Sequence, residues 1–248
     1  MSKPVIGVNP VIELLKSDPS IIEEVWIHKK SLSGKKHRIL ELAKKHGVKV
    51  KLISGENFNP PKVAKGVNTQ GVVAYISEFP YADLEDIIKN WENKGEIPLV
   101  LFLDELEDPR NIGAIIRTAD AVGVHGVVIP KLRSCDITET VIKASSGAVF
   151  NLPIAKVTNL GKAIEFFKEN GLWILGLTHK TEHTIYSVDC KLPLGIVVGN
   201  EGRGIRKGIL KKCDFVAKLP MIGKVESLNV SVATGVALYE VLRQRFFS

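Results

Sequence analysis

Residues 98–119 read PLVLFLDELEDPRNIGAIIRTA, an apolar run followed directly by an amphipathic one. The apolar residues at 98–103 predict a β-strand that is buried on both faces. Asp108 can cap a helix that begins at Pro109, because proline suits the first helical position. The helix would therefore begin at the carboxyl end of a strand, where the ligand sites of α/β proteins lie. Its buried stripe would consist of Ile112, Ile115, Ile116, Ala119 and Val122.

The alternation of strand and helix continues to the end of the chain. Four further apolar runs predict strands, and helical patterns fill most of the gaps between them. Continuous apolar strands are typical of a largely parallel sheet with helices on either side, so we expect an α/β fold. The predicted strands are residues 98–103, 126–129, 172–177, 194–198 and 215–219.

The first 80 residues form a separate, smaller pattern. It predicts a compact α/β domain with helices ending near residues 16 and 46 and strands at 25–28, 48–53 and 71–77. A connecting helix is expected in the linker that follows. We therefore predict a domain at residues 1–80, a linker at 81–96 and a larger α/β domain at 97–248.

The net charge of +7 is concentrated in the N-terminal domain. Residues 1–80 hold 13 Lys and Arg against 7 acidic residues, whereas residues 81–248 hold 21 against 20. An excess of this kind indicates a surface that binds phosphates. A basic solvated face with no partner accounts for the charge equally well.

Composition also limits the compartment and the metal content. No apolar run approaches the length of a membrane span, and residues 1–9 lack the pattern of a signal peptide, so we expect a soluble cytoplasmic protein. Cys135, Cys190 and Cys213 lack the spacing of a zinc site and are expected to be reduced thiols. His179 and His183 are four apart without a nearby acidic or cysteine motif, so no metal is expected.

Arg117 is the first candidate functional residue. It lies off the apolar stripe of its helix, one turn after Gly113, and helical side chains lean toward the N-terminus. Its guanidinium can therefore reach past the bare glycine toward Asn111 and the helix start, where an anion such as a phosphate is favoured. An isolated arginine is more commonly a solvated surface residue.

A second candidate site is the string GNEGRG at residues 199–204, again at the end of a strand. Its glycines permit a tight turn and close approach to a ligand, and Glu201 stands at the apex. Such a string also fits a plain turn or a dinucleotide-binding loop. The dinucleotide loop follows the first strand of its domain, whereas this string follows the fourth, which argues against a nicotinamide-dependent oxidoreductase.

The third candidate site is the string LPMIGKVESLNVSVA at residues 219–233. Ser227 or Asn229 can cap the helix that follows. The first turns of that helix are rich in small residues, which indicates tight packing against the rest of the chain or a second subunit. A well-capped C-terminal helix without further function is the alternative.

Together and in this order, the three strings resemble the three motifs of the SpoU family of RNA ribose 2′-O-methyltransferases, within the SPOUT superfamily. The resemblance covers residues 97–248 and includes SSGA at 145–148 and Leu152-Pro153. The N-terminal domain resembles the ribosomal-protein-like, RNA substrate-binding domain often joined to these enzymes. It contains Gln70-Gly71-Val72, preceded by Thr69 where many relatives have histidine.

The resemblance implies a deep trefoil knot, bound S-adenosylmethionine and a homodimer formed through the C-terminal helix of the catalytic domain. The implied cofactor-binding residues are Thr178, Gly199, Leu219, Ile222 and Leu228. The implied substrate and catalytic cluster is Asn111, Arg117, Glu201, Ser227 and Asn229.

The function implied is methyl transfer from S-adenosylmethionine to a ribose 2′-hydroxyl in structured RNA, with a guanosine of large-subunit (23S) ribosomal RNA as the expected target. Transfer RNA is the alternative substrate, and a non-catalytic ribosome-associated RNA-binding factor is the alternative class. We expect Arg117 to position the phosphate and ribose and to stabilise alkoxide charge, and Glu201 to orient Arg117 or the nucleotide. A guanidinium holds its protons too tightly to be a ready base.

Overall fold

The computed structural model describes residues 2–32, 34–55 and 58–247. Five positions within the predicted domain ranges lie outside the described residues, namely Met1, Ser33, Glu56, Asn57 and Ser248. The chain divides into two compact units. The first consists of Met1–Pro80 and Ile137–Asn151, and the second of Tyr81–Asp136 and Leu152–Ser248.

The first unit is built on a mixed four-stranded sheet. Its elements are β1 (Lys3–Ile6), α1 (Val8–Ser17), β2 (Ile22–His28), α2 (Lys35–Lys45), β3 (Val50–Ile53), β4 (Val72–Ile76) and α5 (Glu139–Ala144). The strand order is β1-β4-β2-β3. β4 runs antiparallel to both of its neighbours, whereas β2 and β3 are parallel. Each of the three predicted strands is present, which confirms the α/β fold expected for this part of the chain.

β1 was not predicted from the sequence. It is four residues long and contains Pro4, and proline is tolerated in a strand at the edge of a sheet, where β1 lies.

The segment Ile137–Asn151, predicted as part of the second domain, packs within the first unit. Gly147 has a φ of 93°, and a Cβ there would lie 2.8 Å from the Cα of Pro10, so glycine permits the close approach to α1.

The second unit has a six-stranded sheet in the order β10-β8-β9-β5-β6-β7, and every pairing in it is parallel. The expected α/β fold with a largely parallel sheet is thereby confirmed. The elements are α3 (Leu84–Lys94), β5 (Leu99–Asp104), α4 (Pro109–Ala121), β6 (Gly126–Pro130), β7 (Ile154–Val157), α6 (Leu160–Glu169), β8 (Trp173–Leu177), β9 (Leu194–Gly199), α7 (Lys207–Leu210), β10 (Phe215–Ala217) and α8 (Val230–Phe246).

The core of the second unit explains two differences from the predicted elements. The helix expected in a linker at residues 81–96 is α3, but it belongs to the second unit, because its buried Ile87 and Trp91 pack with the core of that unit. Gly126 makes room for this helix, because a Cβ there would lie 2.5 Å from the side chain of Ile87. The edge strand β7 was not predicted, since its four residues include Lys156 and give too short an apolar pattern.

The sheet order brings the three candidate strings together at the end of the sheet where the strands have their carboxyl ends. β9 lies between β8 and β5, so the carboxyl ends of these strands are neighbours. Helix α4 follows β5, and α8 packs against α4. No helix among the described residues is long and apolar enough to cross a membrane.

Cys135, Cys190 and Cys213 form no disulfide with one another among the described residues. Burial raises the pKa of Cys190 to about 11 and that of Cys213 to about 12, which favours the protonated thiol at neutral pH.

Candidate active site

The loop after β9 is shaped by Gly199 and Asn200. A Cβ at Gly199 would overlap the backbone nitrogen of Ile205, so glycine is required for the loop to fold back on the strand end. The Asn200 side chain accepts hydrogen bonds from the backbone N–H groups of Gly202 at 3.0 Å and Arg203 at 3.2 Å. These contacts set the conformation of the turn that carries Glu201.

Helix α4 begins as the sequence predicts. Asp108 caps it by accepting a 2.8 Å hydrogen bond from the backbone N–H of Arg110, and Pro109 occupies the first helical position. Asn111 therefore lies in the first turn. Arg117 is on the exposed side of the helix and has no hydrogen bond or ion pair within the described part of the chain.

Asn229 caps α8, which decides between the two residues that the sequence allowed. Its side-chain oxygen accepts hydrogen bonds from the backbone N–H groups of Ser231 at 2.9 Å and Val232 at 3.4 Å. Ser227 lies before the cap in an exposed segment. The cap orients the Asn229 amide, because backbone N–H groups can be met only by its oxygen.

A chain of hydrogen bonds joins the three strings. The amide nitrogen Nδ2 of Asn229 donates to Oδ1 of Asn111 at 3.1 Å. Nδ2 of Asn111 in turn donates to Oε1 of Glu201 at 2.5 Å. The orientation of each amide follows from the one before it, so the cap of α8 ultimately determines that Asn111 presents its N–H donor to the Glu201 carboxylate.

A cavity of about 350 Å³ lies at the carboxyl ends of β8 and β9. Of the predicted cofactor-binding residues, Thr178, Gly199, Leu219 and Leu228 line it. Glu201 and Ser227 from the predicted catalytic cluster line it as well. The walls combine apolar side chains with polar groups, which is typical of a small-molecule site.

The remaining predicted residues lie apart from this lining. The side chain of Ile222 is fully exposed. Asn111 is linked to the cavity by its hydrogen bond to Glu201, and Asn229 is linked to it only indirectly, through its hydrogen bond to Asn111. Arg117 is six residues beyond Asn111 on α4, and nothing in the described residues connects its side chain to the cluster.

Two charged residues that the sequence analysis did not identify hold the loop in place. Asp104, which is completely buried, accepts hydrogen bonds from the backbone N–H of Arg206 at 2.9 Å and from its Nε at 2.8 Å. The hydrogen bond to Asp104 raises the pKa of the Arg206 guanidinium. In the sequence, Asp104 is visible only as an acidic residue at the end of an apolar strand, and this pattern does not indicate that Arg206 is its partner.

Comparison with known proteins assigns both parts of the chain. Residues 98–239 match the SpoU rRNA Methylase family, and residues 4–82 match the family described as RNA 2′-O ribose methyltransferase substrate binding. The chain is 46% identical over 241 residues to YacO of Bacillus subtilis, assigned to the TrmH family of tRNA/rRNA methyltransferases. This alignment covers 97% of the chain and 95% of YacO.

Solved structures give the same result. The SpoU methyltransferase AviRb from Streptomyces viridochromogenes, in complex with AdoMet, superposes with a TM-score of 0.83 at 25% identity, covering 100% of this chain and 92% of AviRb. An AdoMet-bound rRNA methyltransferase from Sinorhizobium meliloti has a TM-score of 0.76 at 25% identity, covering 100% and 88%.

Proposed function

Because the chain belongs to the SpoU family of RNA methyltransferases, we propose that it methylates the ribose 2′-hydroxyl of a guanosine in large-subunit (23S) ribosomal RNA. As a member of this family, it is an S-adenosylmethionine-dependent RNA methyltransferase. The methylated atom, the nucleotide and the choice of ribosomal RNA are what the proposal adds. The observation that carries it is the match of residues 4–82 to the RNA 2′-O ribose methyltransferase substrate-binding family beside a catalytic part that matches the SpoU rRNA Methylase family. The hydrogen-bonded group Asn111, Glu201 and Asn229 beside the cavity supports the position of the site.

The cavity fits S-adenosylmethionine, which when bound supplies an electrophilic methyl group. Leu219 and Leu228 would give the bound cofactor an apolar surface, and Thr178 and Ser227 would give it polar groups. The missing Cβ at Gly199 lets the loop close over the strand end. We assign cofactor binding to Thr178, Gly199, Leu219 and Leu228. Ile222, whose side chain is exposed, is assigned a backbone contact.

Within the catalytic cluster, each residue has a proposed role. Arg117 binds the phosphate beside the target ribose and stabilises the negative charge that develops on the 2′-oxygen. Its exposed guanidinium has no partner in the described chain, so its donors are available to RNA. Glu201 accepts a hydrogen bond from the nucleotide, held in place by Asn111 and Asn229. Ser227 contributes a hydroxyl at the cavity wall.

The first unit contains the main RNA-binding surface. Residues 29–51 contain nine Lys and Arg and one acid, Glu41. Helix α2 buries only Ile39 and Ala43 among its described residues and exposes Arg38, Lys44 and Lys45 to solvent. A basic helical face of this kind binds phosphates regardless of base sequence. This unit also matches the substrate-binding family, which supports the assignment.

We further propose that the protein is a homodimer and that the catalytic domain contains the trefoil knot implied by the family. An exposed apolar face on α8, formed by Val232, Val236 and Tyr239, borders a groove against α4. A second copy of the chain would cover this face. The return of the chain from edge strand β10 to α8 beside α4 is compatible with threading of the C-terminal segment.

Mapping of 2′-O-methylation in total RNA from a strain lacking the gene tests the proposal. We expect one guanosine of 23S ribosomal RNA to lose its methyl group and to regain it when the wild-type gene is restored. Loss of methylation at a transfer RNA position instead would contradict the ribosomal assignment. Calorimetric titration of the purified protein with S-adenosylmethionine should show binding, whereas dinucleotides should not bind.

A further inference from the structure

A second cavity, of about 280 Å³, lies at the carboxyl ends of β5, β6 and β7 in the second unit. Among the described residues, no lining residue is common to this cavity and the one described above. The same loop serves both, because Glu201 lines the first and Arg206 lines the second. A ligand in the second cavity would therefore lie beside the loop that carries Glu201.

The buried carboxylate of Glu105 lines the second cavity, as do Arg133 and Arg206, whereas Arg203 contacts Glu105 from outside the lining. Three guanidinium groups surround its oxygens, those of Arg206 at 3.2 Å, Arg133 at 3.6 Å and Arg203 at 3.9 Å. Arg206 is already committed to Asp104. The side chains of Arg133 and Arg203 are 69% and 62% exposed, so most of their N–H donors face solvent.

The backbone at this site is strained. Glu105 has a φ of 57° and Arg133 a φ of 54°, in the left-handed region that bulky residues rarely adopt. The side chains of these two residues also form an ion pair at 3.6 Å. Strain of this kind is concentrated at ligand-binding and catalytic sites.

One wall of the cavity is apolar. Pro130, Leu132 and Leu160 line it, and the side chain of Leu132 is 73% exposed. Thr158 and Asn159 add polar groups beside this wall. An apolar surface next to guanidinium donors matches the two faces of a nucleotide, because the base packs against apolar groups and the phosphate binds arginine.

We propose that this cavity binds an unpaired nucleotide of the RNA substrate, next to the nucleotide that is methylated. The base lies against Leu132 and Pro130, and Arg133 and Arg203 bind the phosphate. Glu105 holds both guanidinium groups beside it, Arg133 at one carboxylate oxygen and Arg203 at the other. The proposal rests on the proposed function, since it takes RNA as the substrate.

The test compares Arg133→Gln/Arg203→Gln with a matched double variant, Lys94→Gln/Lys191→Gln. Both remove two positive charges from exposed residues of the second unit, but Lys94 and Lys191 lie before the amino ends of β5 and β9. The assay measures transfer of tritium-labelled methyl groups to total RNA from a strain lacking the gene. Calorimetry with S-adenosylmethionine and thermal melting are measured alongside.

The arginine variant should raise the apparent KM for RNA by about tenfold and lower the salt dependence of RNA binding by about 1 per arginine. Its affinity for S-adenosylmethionine should match that of the wild type, and the KM is measured well below the melting temperature of each variant, because the buried Glu105 loses two of its three ion-pair partners. Glu107 contacts Arg203 at 3.4 Å and is 61% exposed, so Glu107→Gln should have the opposite effect and lower the KM for RNA. Leu132→Ala should raise the KM without changing the salt dependence.

An unchanged KM for RNA in the arginine variant, or equal effects in both double variants, would overturn the proposal. The arginine cluster would then have only a structural role, in which it joins the loops. The same holds if Glu107→Gln weakens RNA binding as the arginine variant does. If the wild-type protein transfers no methyl group to any RNA, the proposed function itself has failed. That outcome is distinguishable, because it does not depend on any variant.

Discussion

The side-chain amide of Asn229 donates a 3.1 Å hydrogen bond to the side-chain oxygen of Asn111, although 118 positions separate the two residues. Through this bond the cap of α8 is tied to the first turn of α4. Since Asn111 also binds Glu201, the two helices and the loop after β9 are one connected unit. Disturbing any member should therefore affect the others.

Asn229→Ala tests this connection. Loss of the cap should destabilise the protein by about 1 kcal/mol, and loss of the bond to Asn111 should lower methyl transfer by at least about tenfold. Thr138→Ala is the control, because Thr138 caps α5 in the first unit and its loss should leave methyl transfer intact. Equal activities in the two variants at a temperature well below melting would contradict the role given to Asn229.

Gly199→Ala should abolish cofactor binding. The added Cβ would overlap the backbone nitrogen of Ile205, and overpacking of this kind costs about 1–3 kcal/mol. Gly208→Ala provides the comparison, since a Cβ there meets nothing and the residue lies within α7. Calorimetry with S-adenosylmethionine should detect binding to Gly208→Ala and no binding to Gly199→Ala. Wild-type affinity in Gly199→Ala would contradict this prediction and show that the loop can accommodate the added Cβ.

Arg117→Lys should lower kcat by at least about tenfold, because lysine cannot make the forked contact of a guanidinium with phosphate and ribose. The melting temperature should not change, since Arg117 is exposed and makes no hydrogen bond or ion pair to the described chain. Arg110→Lys, also exposed on α4, is the control. Near-normal turnover of Arg117→Lys would contradict the prediction, because it would show that the reaction does not require a guanidinium at this position.

The basic face of α2 should govern the salt dependence of RNA binding. Lys44→Gln/Lys45→Gln removes two exposed charges from this face and should reduce the slope of log Kd against log salt by up to about 2. Lys3→Gln/Lys65→Gln removes the same charge elsewhere in the first unit and should change it less. Filter binding of total RNA measures both, and identical slopes would contradict a localised RNA surface.

The buried His125 should make stability pH-dependent. Its Nδ1 accepts a 3.0 Å hydrogen bond from the backbone N–H of Leu99, and its Nε2 lies 3.0 Å from Glu96. Burial lowers the pKa of His125, with a smaller effect from Lys94 in the same direction. The unfolded chain therefore binds a proton more readily, and this contribution to the free energy of unfolding is present above about pH 6.5 and lost below it.

Urea unfolding between about pH 5 and 7.5 measures this effect. His125→Gln should show a weaker fall in stability toward low pH than the wild type. The exposed His37→Gln should retain the wild-type dependence. Parallel pH profiles for the wild type and His125→Gln would show that other groups are responsible.

Several features follow from the sequence by itself. Continuous apolar runs predict every strand of the described parallel sheet except β7, because burial on both faces leaves such a run, and apolar periodicity predicts α4. Local hydrogen-bonding groups predict that Asp108 caps α4, and they restrict the cap of α8 to Ser227 or Asn229. Three strings at strand ends indicate the family, which the comparisons establish.

Other features were decided only by the tertiary structure. The bond between Asp104 and Arg206, the three arginines around Glu105 and the packing of Ile137–Asn151 in the first unit link residues far apart in the chain. Local patterns report which face of an element is buried, but they do not report which distant group is buried against it. The sequence therefore shows that a residue is charged, whereas the order of the strands in the folded sheet determines which residue it pairs with.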